Sequence, residues 1–331
     1  MRALVTGASG FIGGAVARAL LRRGAQVRVL LRQGAVPNLP DPREVEIARG
    51  DLRDAQAVCS AARGCDACFH VGALYSFAAP ESDVLAVNVG GTRNVIEAVR
   101  SAGGRLVYTS SIATIGGMHN GALPDERSFP TGPPPGPYKR SKWEAEALVR
   151  EEAQRGLDAV IVNPTFPVGV GDIKPTPTGA FIRDFLEGRM PAYLDTGMNV
   201  VDVDDVAEGE LLAFERGERG ERYILGHANL TMRDLLEELA AITGRKAPRI
   251  RMPHMIALGL AHADAFVSGR ILRRAPRIPL EGVRTAREIM FASSARAVRV
   301  LGFRQTPVRE ALTKAVRWFE ERPRRAQRGV S

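Results

Sequence analysis

Ala3-Leu4-Val5-Thr6-Gly7-Ala8-Ser9-Gly10-Phe11-Ile12-Gly13 is a short apolar run that breaks into glycines three apart and continues as an amphipathic segment. Each glycine answers a different demand of a diphosphate site. Gly7 permits a tight turn out of a strand, Gly10 lets pyrophosphate approach the backbone, and Gly13 lets a helix pack closely on the strand. Unpaired N–H groups and the macrodipole at the start of that helix favour an anion. Taken alone, such spacing fits ordinary loop glycines equally well, so the neighbouring segments decide.

Phe11, Ile12, Val16, Ala19 and Leu20 recur at helical spacing, and Gly24 closes that helix. Gln26–Leu31 follows as a second strand, completing the strand, glycine turn, helix and strand of a dinucleotide unit within about thirty residues. A carboxylate at the end of this strand would bind the adenine ribose 2′-hydroxyl of NAD; the chain instead has Arg32, suited to a 2′-phosphate. NADP is therefore the expected cofactor, with NAD as the alternative. Further strands are expected over Val45–Ala48, Ala67–Val71, Arg105–Thr109 and Ala159–Val162. Helices are expected from Asp54 to Ala61 and from Val84 to Ser101. The alternation predicts an α/β fold with a doubly wound parallel sheet, in which ligands bind beyond the carboxyl ends of the strands, where Ser110 and Ser111 emerge.

A Gly- and Pro-rich loop, Gly116–Pro137, delivers Tyr138-Lys139-Arg140-Ser141-Lys142 to the start of a helix running to Gln154. Residues four apart share a helix face, so Tyr138 and Lys142 point the same way. A phenol is a poor base at neutral pH, but an ammonium one turn away stabilises the phenolate and makes a usable acid/base. A serine at a neighbouring strand end can orient the substrate oxygen. The pattern of glycine turn, strand-end serine and Tyr-x-x-x-Lys predicts hydride transfer at a carbon bearing oxygen.

The 331 residues are 45% hydrophobic, enough for a large core. The net charge of +9 invites a nucleic-acid reading, but its distribution argues against one. Gly244–Ser331 holds 20 Lys and Arg against 6 Asp and Glu, leaving 26 against 31 in the rest. The excess gathers in Arg270, Arg273, Arg274 and Arg277 and in Arg322, Arg324, Arg325 and Arg328. Such runs are solvated faces or chain ends. The first strand starts at Met1 and His254–Leu272 is too polar to span a membrane, so a cytoplasmic protein is expected. Cys59, Cys65 and Cys68 read as reduced thiols and core fillers, and His119, His227, His254 and His262 lack convergent ligands, so no metal site is expected.

With these residues in view, the chain resembles the extended short-chain dehydrogenase/reductase superfamily, which contains sugar-nucleotide epimerases, dehydratases and dihydroflavonol-4-reductase-like enzymes. The resemblance rests on Thr6 to Gly13, Gly50-Asp51-Leu52, His70-Val71-Gly72-Ala73, Asn88-Val89-Gly90-Gly91-Thr92, Tyr108-Thr109-Ser110-Ser111, Tyr138 to Lys142, and Val203-Asp204-Asp205-Val206-Ala207. It implies Ser111, Tyr138 and Lys142 as catalytic, with Lys142 also on the nicotinamide ribose. It implies a cofactor site of Thr6, Gly7, Gly10, Phe11, Ile12, Gly13, Arg32, Asp51, Leu52, Val71, Ala73, Tyr138, Lys142 and Pro164. Tyr75, Ser111, Thr165 and Lys174 are the expected substrate contacts. Asn163 to Gly169, Asp172 to Gly179 and Met190 to Gly197 are similar to hopanoid-associated sugar epimerases of bacteria. Two departures from that group are Asp202 in place of His and Gly72 in place of Ala.

The expected organisation is a dinucleotide-binding core over 1–165, a smaller mixed lobe over 166–321 with elements returning to the core, and a disordered basic tail over 322–331. The lobe reads as helices Ala180–Glu187, Val206–Glu215 and Met232–Thr243 with short strands such as Arg222–Leu225, and Ala311–Phe319 as the last helix. Beyond His254, Met255, Leu258, Ala261, Ala265 and Ile271 suggest a buried or subunit-facing helix, which leaves a homodimer as the expected assembly, with peripheral membrane contact as a weaker reading. The substrate is expected to be a small molecule. Two reactions remain open: epimerisation, which returns the hydride, and reduction, which consumes NADPH. A scaffold without catalysis is the third, disfavoured by the intact trio.

Overall fold

A computed structural model describes residues 1–39, 41–76, 79–118, 121–268 and 280–328, with side chains described as far as Glu321. The first half alternates strictly. β1 (Arg2–Thr6), α1 (Phe11–Arg22), β2 (Gln26–Leu31), β3 (Glu46–Arg49), α2 (Ala55–Ala62) and β4 (Ala67–His70) lead to α3 (Glu81–Leu85) and α4 (Gly91–Ala102). β5 (Arg105–Thr109), α5 (Pro137–Gln154) and β6 (Ala159–Pro164) follow. α2 starts at Asp54, whose carboxylate accepts from the amides of Gln56 and Ala57.

After β7 (Phe166–Val168) come α6 (Pro177–Leu186), β8 (Ala192–Leu194), β9 (Gly197–Asp202), α7 (Val203–Arg216) and β10 (Arg222–Leu225). β11 (Ala228–Thr231), α8 (Met232–Thr243), β12 (Ile250–Met252), α9 (His254–Phe266), α10 (Leu280–Thr285) and α11 (Val308–Arg328) complete the chain. Seven strands form one parallel sheet in the order β3-β2-β1-β4-β5-β6-β10. The order reverses between β1 and β4, so the ligand crevice opens over Thr6 and His70.

Apolar side chains bury both faces of the sheet, as a parallel sheet requires. Val5, Val29, Phe69 and Val162 meet Val16, Leu20, Val206 and Leu211 on one side. Leu4, Leu106, Tyr108 and Ile161 meet Val58, Val95, Val99 and Val149 on the other. α7 and β10, read from sequence as part of the smaller lobe, belong here instead. β10 pairs in parallel with β6 through Arg222↔Ile161 and Leu225↔Pro164, and α7 covers the first face. A four-residue strand with every side chain buried reveals its partner only through the sheet edge that it completes. The lobe keeps its own core, in which Ile182, Phe185, Leu235, Leu239, Leu312 and Val316 meet.

The helix expected over Val84–Ser101 is broken by a π turn at Ala86–Gly90. Asn88 is drawn inward there to the backbone of Leu74, and Gly91 packs where a Cβ would lie 2.8 Å from Leu52 Cβ. The last helix is longer than Ala311–Phe319 and its backbone takes in most of the segment expected as a disordered tail; 329–331 lie outside the described residues. So do His119 and the Arg270, Arg273, Arg274 and Arg277 group. In α9 the inward residues are Ala257 and Ala261 with half-buried Leu258, whereas Met255 is 74% exposed; Ile271 lies outside the described residues.

Gly7 has φ +77°, and a Cβ on it would lie 2.7 Å from Gly72 Cα. Gly24 has φ +72° with open space around it. Gly24→Ala should therefore cost only the left-handed backbone, about 1–2 kcal/mol. Gly7→Ala adds a backbone collision and should lower the urea midpoint distinctly further at unchanged m-value; equal midpoints would refute the collision.

Candidate active site

The glycine turn has the shape that a diphosphate needs. Gly10 N–H closes on Gly7 C=O at 2.8 Å, and a Cβ on Gly13 would lie 2.3 Å from that same oxygen. Gly10 caps α1 without a side-chain hydrogen bond, so the first-turn amides of the helix face the crevice end of β1 without a capping side chain. These features fit a dinucleotide phosphate. Asn38 braces the turn from below, donating to the carbonyls of Gly10 at 3.1 Å and Gly171 at 2.7 Å.

At the far end, Arg32 leaves β2 exposed to solvent. Arg49 donates to the carbonyls of Arg32 and Ala35. Arg53 pairs with Asp51 at 2.9 Å; this hydrogen-bonded partner, together with the more distant charge of Arg32, holds the Asp51 carboxyl below its usual range. Leu52 packs against Gly91, and Val71 and Ala73 follow β4 along the rim of the crevice.

Beneath the rim, polar side chains form one continuous line. Gly72 N–H donates to Thr6 Oγ1 at 3.0 Å, Thr6 Oγ1 lies 2.7 Å from His70 Nδ1, and His70 Nε2 lies 3.0 Å from Thr92 Oγ1. Thr92 Oγ1 donates onward to Asn88 C=O at 2.6 Å, so it accepts from His70, which carries its proton on Nε2. Burial, aided by the charge of Lys142, pushes the His70 pKa down to about 3 and keeps the ring neutral. Asn88 then reaches Ser141 Oγ at 2.8 Å, and Ser141 donates to Tyr138 C=O at 2.7 Å.

Ser111, Tyr138 and Lys142 come together where β5 ends against the first turn of α5. Ser110 and Ser111 diverge: the Ser110 hydroxyl is turned inward to Glu146, whereas the Ser111 hydroxyl accepts from Ala113 N–H and acts on the Tyr138 phenol, lowering its pKa. Burial pushes the Tyr138 pKa up to about 12, and the Ser111 contact partly offsets this. The arrangement differs from the expected tuning of the phenol by Lys142. The Lys142 Nζ instead donates to Thr109 C=O at 2.6 Å and lies 4.6 Å over the Tyr108 ring. Burial lowers the ammonium pKa to about 8 against the opposing pull of Glu146 and Glu210.

Of the expected substrate contacts, Tyr75 stacks on Tyr138 with ring centroids 4.2 Å apart. Thr165 is buried, with its hydroxyl 3.4 Å from Leu225 C=O. Lys174 is exposed on a loop braced by Asp172, which accepts from the Thr176 amide and hydroxyl. Pro164 closes β6.

Two buried carboxylates escaped the sequence reading. Glu146 gathers Ser110, Thr114, Asn163 and Arg222, the last through a 2.9 Å ion pair. Arg222 stacks on Phe129 at 4.1 Å. Glu210 accepts from Thr109 Oγ1 at 2.8 Å while its Oε2 has no partner. Spacing offers no signal for either, because their partners lie on distant elements. Cys65 and Cys68 are buried free thiols, and among the described residues no group of three or more His, Cys, Asp or Glu converges.

A doubly wound sheet, a glycine turn at its switch point and a Ser-Tyr-Lys cluster beyond the strand ends define a nicotinamide-dependent enzyme of the short-chain dehydrogenase/reductase type. Residues 3–226 match the NAD dependent epimerase/dehydratase family, and the chain belongs to that family. It is 42% identical over 323 residues to a putative dihydroflavonol 4-reductase of Synechocystis, covering 96% of this chain and 94% of the relative. It is 37% identical to sterol demethylase protein B of Methylococcus capsulatus, covering 97% and 99%. Among solved structures, a nucleoside-diphosphate-sugar epimerase from Pseudomonas aeruginosa superposes with a TM-score of 0.80 at 27% identity, covering 97% of this chain and 98% of that one.

Burial raises the Glu210 pKa from its ordinary 4.5 to about 8. The folded state then binds the extra proton between those values, so Glu210 erodes stability as pH rises through that window. Glu210→Gln should leave stability unchanged near pH 4.5 and raise it by roughly 1–3 kcal/mol near pH 8. Urea titrations at the two pH values check this, and parallel wild-type and variant profiles would refute it.

Proposed function

We propose that this chain is an NADP(H)-dependent carbonyl reductase that converts a ketone of a small molecule to a carbinol. Its carrying observation is that β5 and the first turns of α5 bring Ser111, Tyr138 and Lys142 together, with burial pushing the Tyr138 pKa up to about 12. Such a phenol is a proton donor throughout the physiological range, as reduction of a carbonyl demands. When bound, the cofactor supplies hydride to the carbonyl carbon. Tyr138 gives its proton to the oxygen, and Ser111 holds that oxygen in place. Lys142, fixed by Thr109, presents its ammonium to the nicotinamide ribose. Tyr75, against the Tyr138 ring, forms the aromatic wall of the substrate site.

Support for NADP comes from Arg32 at the end of β2, with Arg49 and Arg53 near it and Asp51 already paired with Arg53. The relative named as a putative dihydroflavonol 4-reductase points to the same chemistry. Epimerisation of a sugar is the second reading, favoured by the family match and by the structural neighbour named as a sugar epimerase. In that reaction the hydride returns to the opposite face and no cofactor is consumed.

Tyr138→Phe should lower kcat by about 10²–10⁴ while leaving cofactor binding intact; full activity would remove the mechanism. In thermal-shift titrations NADP should stabilise more than NAD, and Arg32→Ala should weaken NADP by about tenfold. A preference for NAD would remove the role given to Arg32. Loss of NADPH absorbance in step with product marks the reductase, whereas inversion of a sugar without that loss marks the epimerase.

A further inference from the structure

We propose that the outward face of α9 docks this protein on the surface of an anionic phospholipid bilayer. Met255, Ile256, Leu260, Phe266 and Val267 line one stripe and are 39–74% exposed. The inward face carries buried Ala257 and Ala261, with half-buried Leu258, which pack with Leu194 and Val283. Most large apolar side chains thus point outward and the buried ones are small, the reverse of a helix whose only task is to cover a core. A contiguous apolar stripe of this size marks a surface that meets an apolar partner.

Charge identifies that partner. Gly244–Ala263 contains Arg245, Lys246, Arg249 and Arg251 and no Asp or Glu. Arg245, Lys246 and Arg249 are exposed beside Ile250, itself 66% exposed; Arg251 meets Asp195 at 2.6 Å, and both of these side chains lie mostly in solvent. Asp264, further along the helix, accepts from Ser268. Guanidinium and ammonium groups on the segment that leads into an apolar helix face match phosphate headgroups above acyl chains. A second copy of the chain on the same face would set these cations against one another. At thirteen residues α9 lies in the interface rather than across it, and among the described residues no helix is long and apolar enough to cross a membrane.

Cosedimentation of the full chain with phosphatidylcholine vesicles, with and without phosphatidylglycerol, tests the inference without any turnover. It therefore stands or falls separately from the proposed reaction. Binding should be at least about tenfold stronger to the anionic vesicles and should weaken as salt rises. Met255→Glu/Leu260→Glu/Phe266→Glu should weaken it by about tenfold or more with an unchanged circular dichroism melt. Arg245→Glu/Lys246→Glu/Arg249→Glu, on exposed side chains, should remove the preference for anionic lipid. Absence of wild-type binding to phosphatidylglycerol vesicles, or equal binding by the apolar-face variant, overturns the inference. A wild-type dimer by light scattering that the apolar-face variant converts to monomer, without vesicle binding, assigns the face to a second copy and overturns it as well.

Discussion

Everything at the crevice depends on how closely two backbones meet. Gly7 at the end of β1 and Gly72 beyond β4 approach until a Cβ on Gly7 would lie 2.7 Å from Gly72 Cα. The sheet reverses its winding between these strands, so this approach shapes the floor of the crevice. Thr6 stitches the same two segments together by accepting from Gly72 N–H and facing His70. A side chain at Gly7 would widen the floor and strain that stitch together.

A second constraint is the burial of charge behind the reactive groups. Lys142 and Glu146 on α5, Glu210 on α7 and Arg222 on β10 are each no more than 3% exposed. Charges taken out of water are tolerated only with partners close at hand. Here Glu146 and Arg222 satisfy one another and recruit Ser110, Thr114 and Asn163, whereas Glu210 has a single hydroxyl donor. The Glu146 network fixes the base of α5 and the end of β5, and so the distance between Tyr138 and Ser111. The less satisfied Glu210 leaves the region under Lys142 sensitive to proton concentration.

Much of this was legible in the amino-acid order. Alternating apolar runs and helical spacings marked β1, α1, β2 and α5, and the Tyr138–Lys142 interval placed both side chains on one helix face. Ser111 could be chosen over Ser110 by resemblance alone; the physical distinction is that Glu146, 36 residues away from Ser110, claims the inner hydroxyl. Such pairings leave no trace in local spacing. The same holds for His70, whose partners lie on β1 and α4, and for Glu210, 101 residues from Thr109. The π turn was hidden because Asn88 and the glycines near it also suit an ordinary helix. α9 shows the limit of periodicity: it predicts that a helix has a face, not which face is turned inward.

The line from Gly72 through Thr6, His70, Thr92 and Asn88 to Ser141 and Tyr138 runs without a break from the floor of the crevice to the backbone of Tyr138. Each hydroxyl in it both receives and gives, and the neutral imidazole has one proton to place, so the direction of the whole line is set. Reversing it would require every member to turn at once. The segment after β4 and the first turn of α5 therefore behave as one rigid jig, assembled when the chain folds. The entropy of aligning phenol and cofactor floor is lost once, at folding, and not again at each turnover.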